Sequence, residues 1–174
     1  MSPRPATVRV PEPVPATAAD VEAVVARLGR APQADFEVVV RPTDGAPAVL
    51  RNAPLLRDGT PMPTRYWLVD PDLNRLVGAV EAEGGVRAAD AAIAPEVIAA
   101  VHDAYAAERD AALPIGHTGP RPSGGVGGTR RGVKCLHAHY ANLLAGADDP
   151  VGVWTRDAID ALDPLEPVPT TEVP

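Results

Sequence analysis

Aromatic side chains are scarce in this sequence, which has one Phe, two Trp and three Tyr among 174 residues. Aromatic rings bury large apolar areas and dominate the energetics of many cores. A hydrophobic core in this chain must therefore be built mainly from Ala, Val, Leu and Ile. We expect such a core to give modest stability, or to be supplemented by a partner.

The chain has a single cysteine, Cys135, so an intramolecular disulfide is excluded. A chain without disulfides suits a reducing compartment, and we predict a cytoplasmic protein. No stretch approaches the roughly 18 consecutive apolar residues of a membrane-spanning helix. No apolar segment follows a basic start at the N-terminus, so we expect neither a secretory signal nor a membrane partner.

Basic residues are outnumbered by acidic ones, 16 against 23, which gives a formal net charge of −7. Binding to nucleic acid depends on positive charge that neutralises phosphates. The charge balance therefore argues against nucleic acid as a partner. One local basic segment exists nevertheless, because Arg121, Arg130, Arg131 and Lys134 lie close together in the sequence.

Proline is concentrated at the two ends of the chain. Residues 1–16 contain five prolines and residues 162–174 contain four. Proline lacks a backbone donor and interrupts helices, so both ends are predicted to be disordered tails. The remaining residues, 17–161, are predicted to form a single domain.

The first half of this domain reads as one helix followed by short strands. Thr17 and Asp20 have the spacing of a capping box, and a helix with an apolar face should run from there to Gly29. The β-branched or apolar stretches 36–41, 48–52 and 66–69 predict three strands, the first two forming a hairpin.

Helices dominate the second half. Asp70 followed by Pro71 predicts a helix start, and Gly84-Gly85 its end. Further helices are predicted over about 95–112 and from near Val133 to Gly146. Together these elements predict an α+β fold, with a small antiparallel sheet of about three strands packed with about four helices.

A glycine-rich loop precedes the last predicted helix. Ser123–Gly132 reads SGGVGGTRRG, with five glycines in ten residues. We do not expect packing to explain glycine at this density, whereas exposed backbone N–H groups before a helix can bind an anion. The alternative is a flexible linker beside a solvated basic patch. The predicted anion-binding residues are Ser123, Gly124, Gly125, Gly127, Gly128, Thr129, Arg130, Arg131 and Lys134.

A cluster of cysteine and histidine follows this loop. Cys135, His137 and His139 alternate in the segment KCLHAHY, and His117 lies shortly before the loop. Thiolate and imidazole ligands suit zinc or a related metal such as iron, and these four residues are the candidate ligands. In a helix Cys135 and His139 would share a face, whereas in an extended segment Cys135, His137 and His139 would.

Two other interpretations of the cluster remain open. Cys135 could be a catalytic nucleophile at the start of a helix, with His139 or His137 as its base. Alternatively, Cys135 could be a small buried side chain beside two histidines that have only structural roles.

Several long stretches resemble a bacterial family catalogued as domain of unknown function 501. The resemblance rests on DFEVVVR, on NAPLLRDGTPMPTRYWLV and above all on GPRPSGGVGGTRRGVKCLHAHYANLLAG with DDPVG. It implies no established activity. Members of the family are often encoded beside a septum-formation-initiator-like coiled-coil protein and an exopolyphosphatase, which implies a cell-division protein as a partner.

Two functions are therefore expected. The first is a metal-dependent hydrolase or transferase that binds zinc or iron and acts on a small anionic ligand, a phosphate or carboxylate compound, with Cys135 and His139 as catalytic residues. The second is a non-catalytic interaction protein associated with septum formation, in which the cysteine and histidines are structural.

Overall fold

A computed structural model describes residues 14–42 and 45–162. The chain enters through a two-residue strand, β1 (Val14–Pro15), and helix α1 (Ala18–Leu28). The predicted capping box begins α1: the Thr17 hydroxyl accepts from the Asp20 amide, and the Asp20 carboxylate accepts from the Thr17 amide. Gly29 ends the helix with a φ of 69°, a left-handed conformation that glycine adopts without strain.

Four strands form one antiparallel sheet in the order β1-β2-β3-β4. The longer strands are β2 (Ala34–Val40) and β3 (Val49–Leu56), followed by the short edge strand β4 (Tyr66–Leu68). Val38 pairs with Leu50, and Leu50 pairs with Trp67. The β2–β3 register shifts at two places, so these strands are bulged rather than regular.

Both faces of the sheet are covered. Successive side chains of a strand point to opposite faces, and here apolar side chains on each face pack against helices. On one face Phe36, Val38, Leu50 and Val69 pack with Val24 of α1. On the other face Val39, Val49 and Leu68 join the larger cluster contributed by the remaining helices. The small aliphatic residues expected from the composition thus form two layers of core, one on each side of the sheet.

The helices that follow β4 are α2 (Pro71–Ala82), α3 (Gly85–Ala92), α4 (Pro95–Ala111), α5 (Leu136–Leu144) and α6 (Pro150–Leu162). The Asp70 carboxylate accepts from the amides of Asp72 and Leu73, as expected of an N-cap. Helix α5 packs against both β4 and α6, and it places its first turn beside α2. A single 3₁₀ turn at Val126–Gly128 lies in the loop before α5.

The predicted α+β class is confirmed, with two more helices than expected. Helix α3 is not indicated by the sequence, because Gly84-Gly85 marks the end of α2 while Gly85 also begins the next helix. Helix α6 was missed although Asp149-Pro150 repeats the start signal of Asp70-Pro71. The helix predicted from Val133 begins only at Leu136, because the backbone of Cys135 is extended and this residue is the N-cap.

The two predicted tails, 1–16 and 162–174, fall almost wholly outside the described residues. Within those residues, Val14–Pro15 pair with β2 and Leu162 is the last residue of α6. Across the part of the chain that the structure describes, no helix combines the length and apolar character needed to cross a membrane.

Candidate functional site

Three potential metal ligands converge at the start of α5. Cys135 is the N-cap residue of this helix, with an extended backbone (φ −152°, ψ 118°), and His137 lies in the first turn. Glu81 reaches them from the end of α2. One ligand atom from each of Glu81, Cys135 and His137 lies within 4.8 Å of the other two.

The imidazole of His137 is held between two oxygen acceptors. Its Nε2 atom lies 3.2 Å from the carbonyl oxygen of Asn74, and its Nδ1 atom lies 3.2 Å from Oε1 of Glu81. A carbonyl oxygen can only accept, so Nε2 carries a proton. Nδ1 then faces a carboxylate and a cysteine, an arrangement that favours a positive charge, whether a proton or a metal ion, at that position.

This environment raises the pKa of His137 to about 9. The main cause is hydrogen bonding to the Cys135 side chain, which burial opposes, and the negative charge of Glu81 acts in the same direction as the cysteine. Glu81 has a second contact, because its Oε1 accepts a 2.7 Å hydrogen bond from the Leu136 amide at the start of α5. The carboxylate therefore stabilises both the helix start and the cation beside it.

A pocket of about 380 Å³ opens beside Cys135 and His137. Its lining includes the edge strand β4 and Thr64, two residues before that strand, together with the exposed Lys134. The pocket is large enough for a small molecule. Its lining residues are Thr64, Tyr66, Trp67, Leu68, Gly127, Lys134, Cys135, His137 and Ala138.

The glycine-rich loop is anchored to helix α4. The buried guanidinium of Arg109 donates to the carbonyl oxygen of Gly124 at 2.7 Å, and it also reaches the carbonyl of Pro122. The Val126 amide donates to Nδ1 of His102 at 3.1 Å, and Nε2 of the same ring lies 3.0 Å from the carbonyl oxygen of Gly132. The loop is therefore fastened at both ends and in the middle.

Close packing explains two of the loop glycines, contrary to the expectation from the sequence: a Cβ atom on Gly124 would lie 2.7 Å from the carbonyl oxygen of Gly128. A Cβ atom on Gly125 would lie 2.4 Å from the Cβ of His102, so only glycine allows the loop to approach α4 this closely. At Gly124, Gly127, Gly128 and Gly132 the φ angle is positive, which glycine adopts without strain. The glycines thus shape and seat the loop.

Several backbone amides of the predicted anion site are used inside the loop. The Gly125 amide donates to Thr129, and the Gly128 amide donates to Gly125. Thr129 binds Arg131 through its hydroxyl. By contrast Arg130, Arg131 and Lys134 are exposed, and within the described chain none of them forms an ion pair with a carboxylate.

Of the four predicted metal ligands, the structure brings together Cys135 and His137 and not the other two. His139 is fully buried, and its Nδ1 binds the Asp149 carboxylate at 2.9 Å. His117 binds the carbonyl oxygen of Pro120 within its own loop. Of the two histidines predicted as a base for Cys135, His139 therefore points into the interior, and the imidazole beside Cys135 is that of His137.

Glu81 is the member of the cluster that the sequence did not indicate. It lies 55 residues before Leu136, its hydrogen-bond partner, and an acidic residue near the end of an amphipathic helix usually faces solvent. Only the packing of α2 against the start of α5 brings it to the cysteine.

A family model described as "Protein of unknown function (DUF501)" matches residues 38–157. This match runs from the last residues of β2 through most of α6 and includes all three members of the cluster, as well as the glycine-rich loop. Neither a curated protein nor a solved structure matches the chain. Because the family model covers most of its length, this chain belongs to the DUF501 family.

Proposed function

We propose that Glu81, Cys135 and His137 bind one zinc or iron ion, and that the protein is a metal-dependent hydrolase or transferase acting on a small anionic compound. The observation that carries this proposal is the gathering of a carboxylate, a thiol and an imidazole within 4.8 Å of one another. Ligands of these three kinds suit zinc and related borderline metals.

The contacts of His137 support a role as a ligand. Metal-binding histidines usually donate their second ring N–H to a carbonyl or carboxylate, which fixes the ring and its tautomer. The 3.2 Å contact between Nε2 and the carbonyl of Asn74 has this form, and it leaves Nδ1 directed at Glu81. A metal ion would take the place of the proton that otherwise sits between these groups.

The pocket supports a catalytic rather than a closed site. Three protein ligands leave a fourth position on zinc for water or substrate. Cys135 and His137 both line the pocket of about 380 Å³, so that position can face it. When bound, the metal would polarise a substrate oxygen and acidify a bound water. Lys134 in the pocket lining, with Arg130 and Arg131 before it, would attract the anionic group of the substrate.

Cobalt titration of metal-free protein tests the site, since Co²⁺ replaces zinc and absorbs visible light when a thiolate binds it. We expect one Co²⁺ per chain and a thiolate absorption band. Cys135→Ser, His137→Gln and Glu81→Gln should each weaken binding by at least about tenfold. Glutamine at position 81 keeps an oxygen that can accept from the Leu136 amide, so this variant separates the charge from the helix contact.

His117→Gln is the matched control, because His117 lies outside the cluster and should not affect metal binding. The metal site would be refuted by wild-type protein that binds no Co²⁺, Zn²⁺ or Fe²⁺, or by full binding in Cys135→Ser. Hydrolysis of p-nitrophenyl phosphate and p-nitrophenyl acetate by metal-loaded wild type, and its loss in Cys135→Ser, tests the enzymatic part of the proposal.

The second function, a non-catalytic interaction protein associated with septum formation, follows from the family resemblance, and one observation favours the structural role that it gives to the cluster. Glu81 binds the Leu136 amide as well as His137, so the cluster can stabilise the start of α5 without any metal. In that case the partner would be the septum-formation-initiator-like protein, and pull-down with that protein tests it. Retention by both wild type and Cys135→Ser, together with a lack of metal binding, would favour this function over the first.

A further inference from the structure

A second, independent group of polar residues is buried between α4, α5 and α6. The Asp149 carboxylate is completely buried and accepts from three donors. These are Nδ1 of His139 at 2.9 Å, Nδ2 of Asn142 at 2.9 Å and the Gly152 amide at 3.0 Å. Asp149 precedes α6, and its contact with the Gly152 amide is that of an N-cap residue.

These contacts fix the tautomer of His139. A carboxylate only accepts hydrogen bonds, so Nδ1 of His139 carries the proton. In the neutral ring, Nε2 is then a lone-pair acceptor. Among the buried side-chain nitrogen and oxygen atoms of the described chain, Nε2 of His139 alone has no hydrogen-bond partner. An unsatisfied buried polar atom costs about 1–3 kcal/mol, and native proteins retain few of them.

The neighbouring protein donors are already engaged. The ring of His102 is 5.7 Å away, centroid to centroid, but both of its nitrogens are bonded to the glycine-rich loop. The Val126 amide, which the loop brings to this region, donates to His102. Neither of these neighbouring groups is therefore free to donate to Nε2.

We infer that Nε2 of His139 is an internal binding site for a small hydrogen-bond donor, and that its occupant is one ordered water molecule. His139 has no exposed surface, which excludes a larger ligand.

Nuclear magnetic resonance of ¹⁵N-labelled, metal-free wild-type protein tests this site separately from the proposed metal site. Two-bond ¹H–¹⁵N correlations should show His139 protonated at Nδ1 and not at Nε2. Water-selective Overhauser spectra should show a cross-peak from a long-lived water to the His139 ring protons. The ring of His117, which is only partly buried and lies in a loop, should show only exchange with bulk solvent.

The His139 signals would be assigned by their loss in His139→Gln. If that variant does not fold, His102→Gln, His117→Gln and His137→Gln assign them by elimination. A proton on Nε2 would overturn the inference, because the pair would then be a buried imidazolium and carboxylate. A correctly assigned ring without a water cross-peak would overturn it equally.

Discussion

At the scale of single residues, each of the four histidines has a ring nitrogen directed at a fixed partner. His117 and His137 bind backbone carbonyls, His102 bridges two points of the glycine-rich loop, and His139 binds a carboxylate. Similar sequence contexts thus lead to different chemistry. Neighbouring backbone and carboxylate groups, rather than the spacing of the histidines, decide which ring can accept a ligand.

The raised pKa of His137 gives the first prediction. In metal-free protein, a titration followed by the Cε1 proton should give a pKa of about 9, compared with the ordinary value of 6.5. Cys135→Ser and Glu81→Gln should each lower it, since both groups favour the charged ring. The ring's contribution to stability is complete below pH 6.5 and is lost as the pH rises through about 9. An unchanged midpoint in both variants would contradict this assignment.

Asp20 gives the second prediction. The Arg41 guanidinium, 2.7 Å away, and the contacts with Thr17 hold the pKa of this carboxyl well below its usual range. Asp20→Ala should lower the free energy of unfolding by about 1–2 kcal/mol at pH 7, because it removes half of the capping box. The wild-type advantage is present above pH 3.8 and should shrink as the pH falls further, since the folded-state pKa is depressed.

Asp35→Ala is the control for Asp20. Asp35 also pairs with an arginine, Arg57, but the Asp35 side chain is 81% exposed. Exposed ion pairs contribute little, so urea denaturation should show a change within about 0.5 kcal/mol. Equal losses in the two variants would mean that burial and capping do not distinguish them.

At the scale of elements, helix α4 is the support on which the glycine-rich loop is built. Its buried Arg109 binds loop carbonyls, and its His102 binds the loop on either side of the basic residues. The cations Arg130 and Arg131 are therefore carried on a segment with fixed ends. A linker would not need these anchors, so the structure favours an ordered loop over the flexible alternative.

The close approach of the loop to α4 gives the third prediction. Gly125→Ala should lower the free energy of unfolding by about 1–3 kcal/mol, because the new methyl group would meet the His102 ring. Gly78→Ala in α2 is the matched control, since nothing lies within 4 Å of the position that its new Cβ atom would occupy. That change should be neutral or stabilising by up to about 1 kcal/mol. Chemical denaturation measures the free energy of unfolding of both variants. Equal losses in the two would disprove the prediction.

At the scale of the whole molecule, the sequence predicted those features that depend on local signals. The capping box at Thr17 and the Asp70-Pro71 start located α1 and α2, and the short β-branched stretch of three consecutive valines located β2. Long-range packing was not predictable in this way. Glu81 joins Cys135 only because α2 packs on the start of α5. His139 lies apart from the predicted site because its ring binds the Asp149 carboxylate instead.

Metal binding gives the fourth prediction, since a ligand that binds only the folded state stabilises the whole domain. At a metal concentration 100 times the dissociation constant, the gain is about 2.7 kcal/mol. For a domain of this size we expect the melting temperature to rise by roughly 5–10 °C. Scanning calorimetry should show this rise with zinc in wild type, its reversal by a chelator, and no rise in Cys135→Ser. A rise of equal size in that variant would place the metal elsewhere.

The scarcity of aromatic residues has a practical consequence for the pocket beside Cys135. The chain has only two tryptophans, and Trp67 lines this pocket while Trp154 packs in the core on α6. Replacing Trp154 with Phe would leave one tryptophan, placed in the pocket wall, which can be excited selectively over the tyrosines. Its emission would then report directly on any metal or small molecule that enters, without an added label.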